Sequence, residues 1–361
     1  MFSILAINPG STSTKIACFH DENLIFKKNI PFTEKESLSF SCVLDQLPSR
    51  FETICESLVE ENIPLDRFDA AVGRGGMLEP VPSGTYLVAQ NMMDYLKRAP
   101  RGDHASGLGA FLAYKFACMS ECPAYIVDPV SVCELSDVAK ISGAPEIERG
   151  SLVHALNQKA VARRIAAKIG KKYEECRFVV AHLGTGVTLG VHCNGRIIDV
   201  IGAKADGPFS AERAGGLPVD AVVDLCFSGR YTETEIKKKL LSGWGFLAYL
   251  GTRDLREIFK MAEEDPKART VLEAFVYQIA KGIGEFCTVL DGDIDAIIIT
   301  GGMAYSERLM QMLIKKIKFL GPIEQVPGEN ELEALSMGAL RVLKGEELPR
   351  IYPDGSYIKH D

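Results

Sequence analysis

The sequence predicts an α/β protein of roughly two domains. Strand-like apolar runs alternate with segments of helical apolar spacing along the chain. A strand, a turn of small residues and a second strand occur near the start, over 4–19, and again in the second half, over 177–193. The length of 361 residues is about twice a ~150-residue domain. No low-complexity linker separates the halves, so a boundary is expected to be a hinge within packed structure. The repeated pattern implies internal duplication, although identity between the halves is slight.

Composition narrows the function. Apolar residues make up 47% and charged residues 25%, ordinary values for a globular chain with ample core. The net charge of -7 and a pI near 5.6 argue against a nucleic-acid surface. Local basic clefts for an anion remain open. No stretch of ~18 apolar residues suggests a membrane span. The start of the chain enters a strand directly, without a cleavable apolar segment, and a cytoplasmic location is expected. The ten cysteines lack metal-ligand spacing and are expected to be reduced, mostly buried thiols.

In order along the chain, 4–7 reads as a buried strand and 16–19 as its partner. Between them lies NPGSTSTK, residues 8–15. Pro9-Gly10 is a turn dipeptide, and the Ser and Thr hydroxyls with Lys15 suit an anion. The same stretch also fits an ordinary hairpin turn. Residues 45–62 carry helical spacing at Phe51, Ile54, Leu58 and Val59. A strand over 68–72 runs into Gly73-Arg74-Gly75-Gly76, one cation among glycines that let a ligand approach the backbone. A solvated turn arginine is the plain alternative. Residues 101–106 open a helix through 118, with Asp103 or a neighbour as cap. His104 there could face an anion or bond its own loop. A strand over 125–128 ends in Asp128, at the kind of strand end where α/β folds place chemistry. Before Pro129 it also fits a turn.

Residues 151–169 predict a helix with His154 in its first turn; a lone histidine there is commonly structural. A strand over 177–181, the turn His182-Leu183-Gly184-Thr185-Gly186 and strands over 187–193 and 196–201 follow, the last two joined at Asn194-Gly195. Gly184, Gly186 and Gly190 miss the dinucleotide spacing and lead into a strand, so a Rossmann site is excluded, and no Walker pattern exists. Arg213 sits in a second glycine-rich loop, 207–216. Helices are expected over 219–227, 233–241, 252–261 and 266–290, the last capped by Asp265. Residues 291–295 read as a turn. A strand over 297–300 ends in Gly301-Gly302 before a helix over 306–319, a unit that lets a nucleotide pass close to backbone. The last helix spans 329–343.

Together these motifs resemble the acetate/butyrate kinase family of the actin-like ATPase superfamily. The matching stretches are NPGSTSTK at Asn8, VGRGGMLEPVPSGTY from Val72 and GDHASGLGA from Gly102. HALNQKAVAR from His154, AHLGTGVTLGVHCNGRIIDV from Ala181, TGGMAYS from Thr300 and PGENELEALSMGAL from Pro327 complete them. The resemblance covers nearly the whole chain, and the combination is specific where no single motif is. It implies two actin-like (ribonuclease H-like) domains with mixed sheets and flanking helices, and an active site in the cleft between them. The N-terminal acyl kinase domain would cover 1–132, with the C-terminal helix, 335–361, returning to it. The nucleotide-binding domain would cover 133–334.

The implied reaction joins ATP and a short-chain carboxylate, butyrate or a branched C4–C5 acid, to give ADP and acyl phosphate with Mg2+. By resemblance, Arg74 and Arg213 hold the carboxylate and the transferring phosphoryl, and His154 donates a hydrogen bond to the latter. His104 supports the acyl side. Asp128 and an acid of the last helix, Glu331 or else Glu329, organise Mg2+, with Asn8 nearby and a role for Asn330 open. Ser11, Ser13 and Lys15 form one phosphate loop; His182, Gly184, Thr185 and Gly186 form the other. Gly301 and Gly302 lie under the adenosine. A homodimer or larger oligomer is typical. Acetate kinases carry two valines where Gly75 and Gly76 stand, Phe where Val153 stands and Asn where Thr185 stands. The first two differences remove volume and imply a deeper acyl pocket. An acetate or propionate kinase and a non-catalytic ATP-binding sensor are the alternatives; a sensor does not need Arg74, Asp128, His154 and Arg213 together.

Overall fold

The computed structural model describes residues 1–32, 40–202 and 206–358. The chain divides into two units. One comprises Met1–Cys133, Ala155–Asn157 and the chain from Asn330 on; the other comprises Glu134–His154 and Gln158–Glu329.

The first unit is built on strands β1 (Ser3–Pro9), β2 (Ser13–His20), β3 (Asn23–Pro31), β4 (Ala70–Arg74), β5 (Thr85–Leu87) and β6 (Ala124–Val127). Their order across the sheet is β3-β2-β1-β4-β6-β5. The β1–β2–β3 meander is antiparallel, whereas β1, β4 and β6 run parallel. Ile4, Leu5, Ala6 and Ile7 are all fully buried, because β1 is central and covered on both faces. The helices Leu47–Glu60 and Leu108–Ser120 flank the sheet, and the last helix, Glu331–Leu343, lies against β1, β4 and β6. One core joins Leu5, Ile7, Ile54, Leu58, Phe116 and Ile126.

The second unit carries β7 (Arg177–Leu183), β8 (Val187–Cys193), β9 (Arg196–Ile201), β10 (Ala296–Gly301) and β11 (Ile323–Pro327). Their order is β11-β10-β7-β8-β9. Again the first three strands form an antiparallel meander, and β10 and β11 run parallel to its first strand. Read from the meander inward, this is the order β3-β2-β1-β4-β6 of the first unit. The duplication inferred from the sequence is therefore present in the topology. The long helix Pro266–Val289 packs Phe275, Ile279 and Ile283 into the core with Val179, Leu189 and Ile299. Asp265 caps it, its carboxylate accepting the Lys267 N–H at 2.8 Å. The expected class, α/β with two mixed sheets and flanking helices, is the one observed.

Some local expectations change. The helix expected from residue 101 starts at Leu108, after a short 3-10 turn over Ala105–Gly107. Asp103 does not cap it; its carboxylate accepts the Val43 N–H instead. The helix expected from 151 starts at Ala155, placing His154 at its N-cap rather than in its first turn. The helix expected from 252 starts at Leu255, capped by Asp254. Gly301-Gly302 leads into a 3-10 turn, Gly302–Tyr305, before the helix Glu307–Ile317. Strands β3, β5 and β11 and the helix Gln90–Arg98 were not foreseen. The cysteines are not mostly buried: Cys18, Cys176 and Cys287 are, while Cys42, Cys118 and Cys226 are exposed.

Candidate active site

In the first unit, the carboxyl ends of three adjacent parallel strands carry Asn8, Arg74 and Asp128. The register sets Ile7 beside Gly73 and Arg74 beside Val127, so the three residues lie side by side at one sheet edge. Glu331, the first residue of the last helix, meets two of them. Its carboxylate accepts from the Asn8 amide and forms an ion pair with the Arg74 guanidinium. The pair is mostly shielded from water, with side-chain exposures of 22% for Arg74 and 10% for Glu331. A carboxylate in the first helical turn is also favoured by the helix dipole. Asp128 is buried at φ 39°, and its Oδ1 accepts the Gly84 N–H at 2.8 Å.

Ser11 in the turn between β1 and β2 is exposed, as is Lys15 on β2, while Ser13 at the start of β2 is half-buried. Gly10 N–H donates to the Ser13 carbonyl at 2.7 Å, closing the turn. Arg50, which sequence reasoning passed over, clamps this turn. Its guanidinium donates to Thr14 Oγ1 at 2.7 Å and to the Gly10 carbonyl at 3.0 Å, and stacks over Phe32. It is 1% exposed. A single arginine within an amphipathic helix gives no sequence signal for such a role.

His104 is exposed, and its Nδ1 accepts the Ser106 N–H at 3.1 Å and meets Ser106 Oγ at 2.8 Å. One ring nitrogen is thus committed to its own turn. Gly75 and Gly76 do not vacate side-chain volume. A Cβ on Gly76 would stand 2.6 Å from Gly107 Cα, and one on Gly75 2.7 Å from Pro129 Cβ. The glycines admit neighbouring protein atoms, so the expectation that they deepen an acyl pocket is corrected at both positions.

In the second unit, His182 is the next-to-last residue of β7, opposite Thr188 of β8 and beside Thr300 of β10. The His154 ring stacks on the buried His182 ring, centroids 3.9 Å apart and 13° from parallel. His154 Nδ1 lies 2.8 Å from Thr188 Oγ1. Val153, immediately before it, is fully buried. Glu329 brings Oε1 to 3.5 Å from His182 Nε2. In the turn, Gly184 N–H donates to the Gly186 carbonyl at 3.2 Å, Thr185 is exposed, and its carbonyl accepts from Ser210 Oγ at 2.6 Å.

Arg213 crosses this turn. A Cβ on Gly186 would fall 2.4 Å from its Nη1, so only glycine lets the guanidinium lie there. Burial lowers the Arg213 pKa from its ordinary value, and Glu212 opposes the shift. An arginine stays charged under such a shift at neutral pH. Gly301, at φ 91°, packs against the Leu183 carbonyl, and Gly302 is open to solvent. Each unit therefore brings its own predicted residues together: Asn8, Arg74 and Glu331 in one, His154, His182, Gly186 and Arg213 in the other.

Residues 149–339 match the model of the acetokinase family. The chain is 46% identical over 354 residues to butyrate kinase 1 of Clostridium acetobutylicum, covering 98% of this chain and 100% of that protein. It is 47% identical over 352 residues to a probable butyrate kinase of Thermotoga petrophila, covering 98% and 99%. An acetate kinase structure from Porphyromonas gingivalis shares the fold with a TM-score of 0.76 at 16% identity, over 94% of this chain and 99% of that one. Two strand-end clusters on a duplicated sheet and such similarity along the whole length agree, and the chain belongs to the acetokinase family.

Proposed function

We propose that the chain is a carboxylate kinase that transfers the γ-phosphoryl of ATP to a short-chain acid, butyrate or a branched C4–C5 acid, reversibly. The observation that carries this is the 46% and 47% identity, over nearly the full chain, to proteins named as butyrate kinases. A carboxylate is already a nucleophile, so no general base is required. The barrier is electrostatic, because two anions must meet in line.

Arg74 takes the acceptor carboxylate. Glu331 occupies part of its guanidinium, whose five donors leave a face for a second carboxylate. Arg213 neutralises the transferring phosphoryl, with the turn from His182 to Gly186 cradling the phosphates and Gly301-Gly302 under the nucleoside. His154 donates to the phosphoryl. Ser11, Ser13 and Lys15 hold the remaining phosphate oxygens, and His104 supports the acyl side through its outer nitrogen.

Asp128, Glu331 and Asn8 fit Mg2+ in donor chemistry: carboxylate and amide oxygens at one strand-end cluster, where this ion takes one or two carboxylates and completes its shell with water and phosphate. Among the described residues no three His, Cys, Asp or Glu side chains form a metal cage. Bound there, Mg2+ would offset phosphate charge. A cytoplasmic homo-oligomer acting on small molecules completes the proposal. Among the described residues no helix is long and apolar enough to cross a membrane.

A hydroxylamine trap with ATP, Mg2+ and C2 to C6 acids tests it. Acyl hydroxamate is expected, faster from butyrate than from acetate. Arg213→Ala should fold normally and lose about 10²–10³ in kcat, the cost of removing one preorganised charge-stabilising donor. No hydroxamate from any acid overturns the kinase assignment; faster acetate turnover moves the specificity to C2.

A further inference from the structure

Behind His154 runs a buried polar chain that the proposed reaction does not use directly. Tyr173 OH lies 2.7 Å from His192 Nδ1. His192 Nε2 lies 3.2 Å from Gln158 Oε1. Gln158 Nε2 lies 3.3 Å from the Thr188 carbonyl and 3.2 Å from Thr188 Oγ1. Thr188 Oγ1 lies 2.8 Å from His154 Nδ1. Gln158, Thr188 and His192 are 2% exposed or less.

The proton positions along this chain follow from valence. The Thr188 carbonyl can only accept, so the Gln158 nitrogen must face it. That turns Gln158 Oε1 toward His192, whose Nε2 must then carry a proton. Burial, and Lys159 nearby, hold the His192 pKa well below its usual value, although Glu134 opposes them. His192 is therefore neutral, its Nδ1 is bare, and Tyr173 donates to it. The second Gln158 N–H reaches Thr188 Oγ1. The Thr188 oxygen keeps a second lone pair as well as its hydrogen. Among the described contacts His154 Nδ1 is the acceptor this hydroxyl meets, so satisfying the buried donor directs its hydrogen there and Nδ1 accepts. A neutral imidazole with an accepting Nδ1 carries its proton on Nε2.

We propose that Tyr173, His192, Gln158 and Thr188 are positioning residues that fix His154 as the Nε2–H tautomer, the form that can give a hydrogen bond to the transferring phosphoryl. This rests on the role given to His154 above. The chain is buried and satisfied at every link, so it specifies one ring orientation as well as one tautomer. The same stacking on His182 keeps the ring plane fixed.

Long-range 1H–15N spectra of the full chain labelled at histidine read the tautomer without turnover, with His154→Gln assigning the ring. His154 should show a bare Nδ1 and a protonated Nε2 near pH 7.5. Thr188→Val removes the donor; its His154 signals should move toward a mixture of tautomers. Its kcat should fall about tenfold, less than the ~10²–10³ of deleting a stabilising donor outright because the ring remains, at near-constant KM for ATP. Thr188→Ser should restore both. A wild-type ring protonated at Nδ1 overturns the proposal, as does Thr188→Val with unchanged spectrum and kcat. If Thr188→Val does not fold, Tyr173→Phe and the wild-type spectrum decide in the same way. An Nε2–H ring in a protein that makes no acyl phosphate upholds the relay and removes the kinase role instead.

Discussion

Gly76 shows how the purpose of a glycine can be misread from the sequence. Beside an arginine, and where acetate kinases carry valine, a glycine suggests vacated volume. The volume is filled by the backbone of Gly107. Gly76→Val must displace that backbone, and overpacking of this kind costs roughly 1–3 kcal/mol. The variant is expected to melt lower and to lose kcat/KM on acetate and butyrate alike. A variant that keeps its melting temperature and loses butyrate turnover selectively would restore the pocket argument. Arg74, Asn8 and Glu331 were each visible as residue types in a motif. Residue spacing gave no sign that they meet, since Asn8 and Glu331 are 323 positions apart; only the resemblance set Asn8 near the acid of the last helix, and the Arg74–Glu331 ion pair was unforeseen.

At the level of elements, all three unforeseen strands lie on sheet edges. β3, with the sequence NLIFKKNIP, buries none of its residues fully, so it carries no alternating apolar signal to read. The central strands β1, β7 and β10 are buried on both faces and read as continuous apolar runs. The turn between β1 and β2, proposed above as a phosphate loop, depends on a partner element too. Arg50, from the helix Leu47–Glu60, donates to the Gly10 carbonyl and Thr14 Oγ1. Arg50→Met leaves those acceptors buried without their donor, at about 1–3 kcal/mol for each group. Denaturant unfolding should register a loss of roughly 3 kcal/mol, and the KM for ATP should rise as the turn loosens. Unchanged stability would mean the clamp is replaced by water.

Over the whole molecule, buried titratable groups set the pH range of stability. Burial raises the Cys18 thiol to about 12 and the Cys287 thiol to about 11. In the unfolded chain these thiols ionise near the ordinary value, so from about pH 9 upward the unfolded state binds fewer protons and stability falls. The full contribution is present below that value. His192 acts at the acid end: its pKa is depressed, so the unfolded chain takes up a proton below about 6.5 that the folded chain refuses. Melting temperature should therefore decline on both sides of a plateau between about pH 6.5 and 9. Cys18→Ala should flatten the alkaline limb, and His192→Gln the acid limb. Limbs unaffected by either change would assign the dependence to other groups.

The sequence by itself determined the strand and helix pattern, the duplication and the small-residue turns, because these depend on local periodicity and on residues such as Gly, Pro, Asn and Asp. It also pointed to an anion through arginines set among glycines, while a solvated turn arginine stayed open as the plain alternative. Tertiary structure decided which side chains touch. It set Glu331 against Asn8 and Arg74, seated Arg213 over Gly186, filled the space beside Gly76, and started the helix at Ala155 so that His154 meets Thr188. Each of these depends on atoms brought together across long stretches of chain, or on the space left by a neighbour. Neither has a signature in the order of residues, because packing is a property of the folded volume rather than of the string.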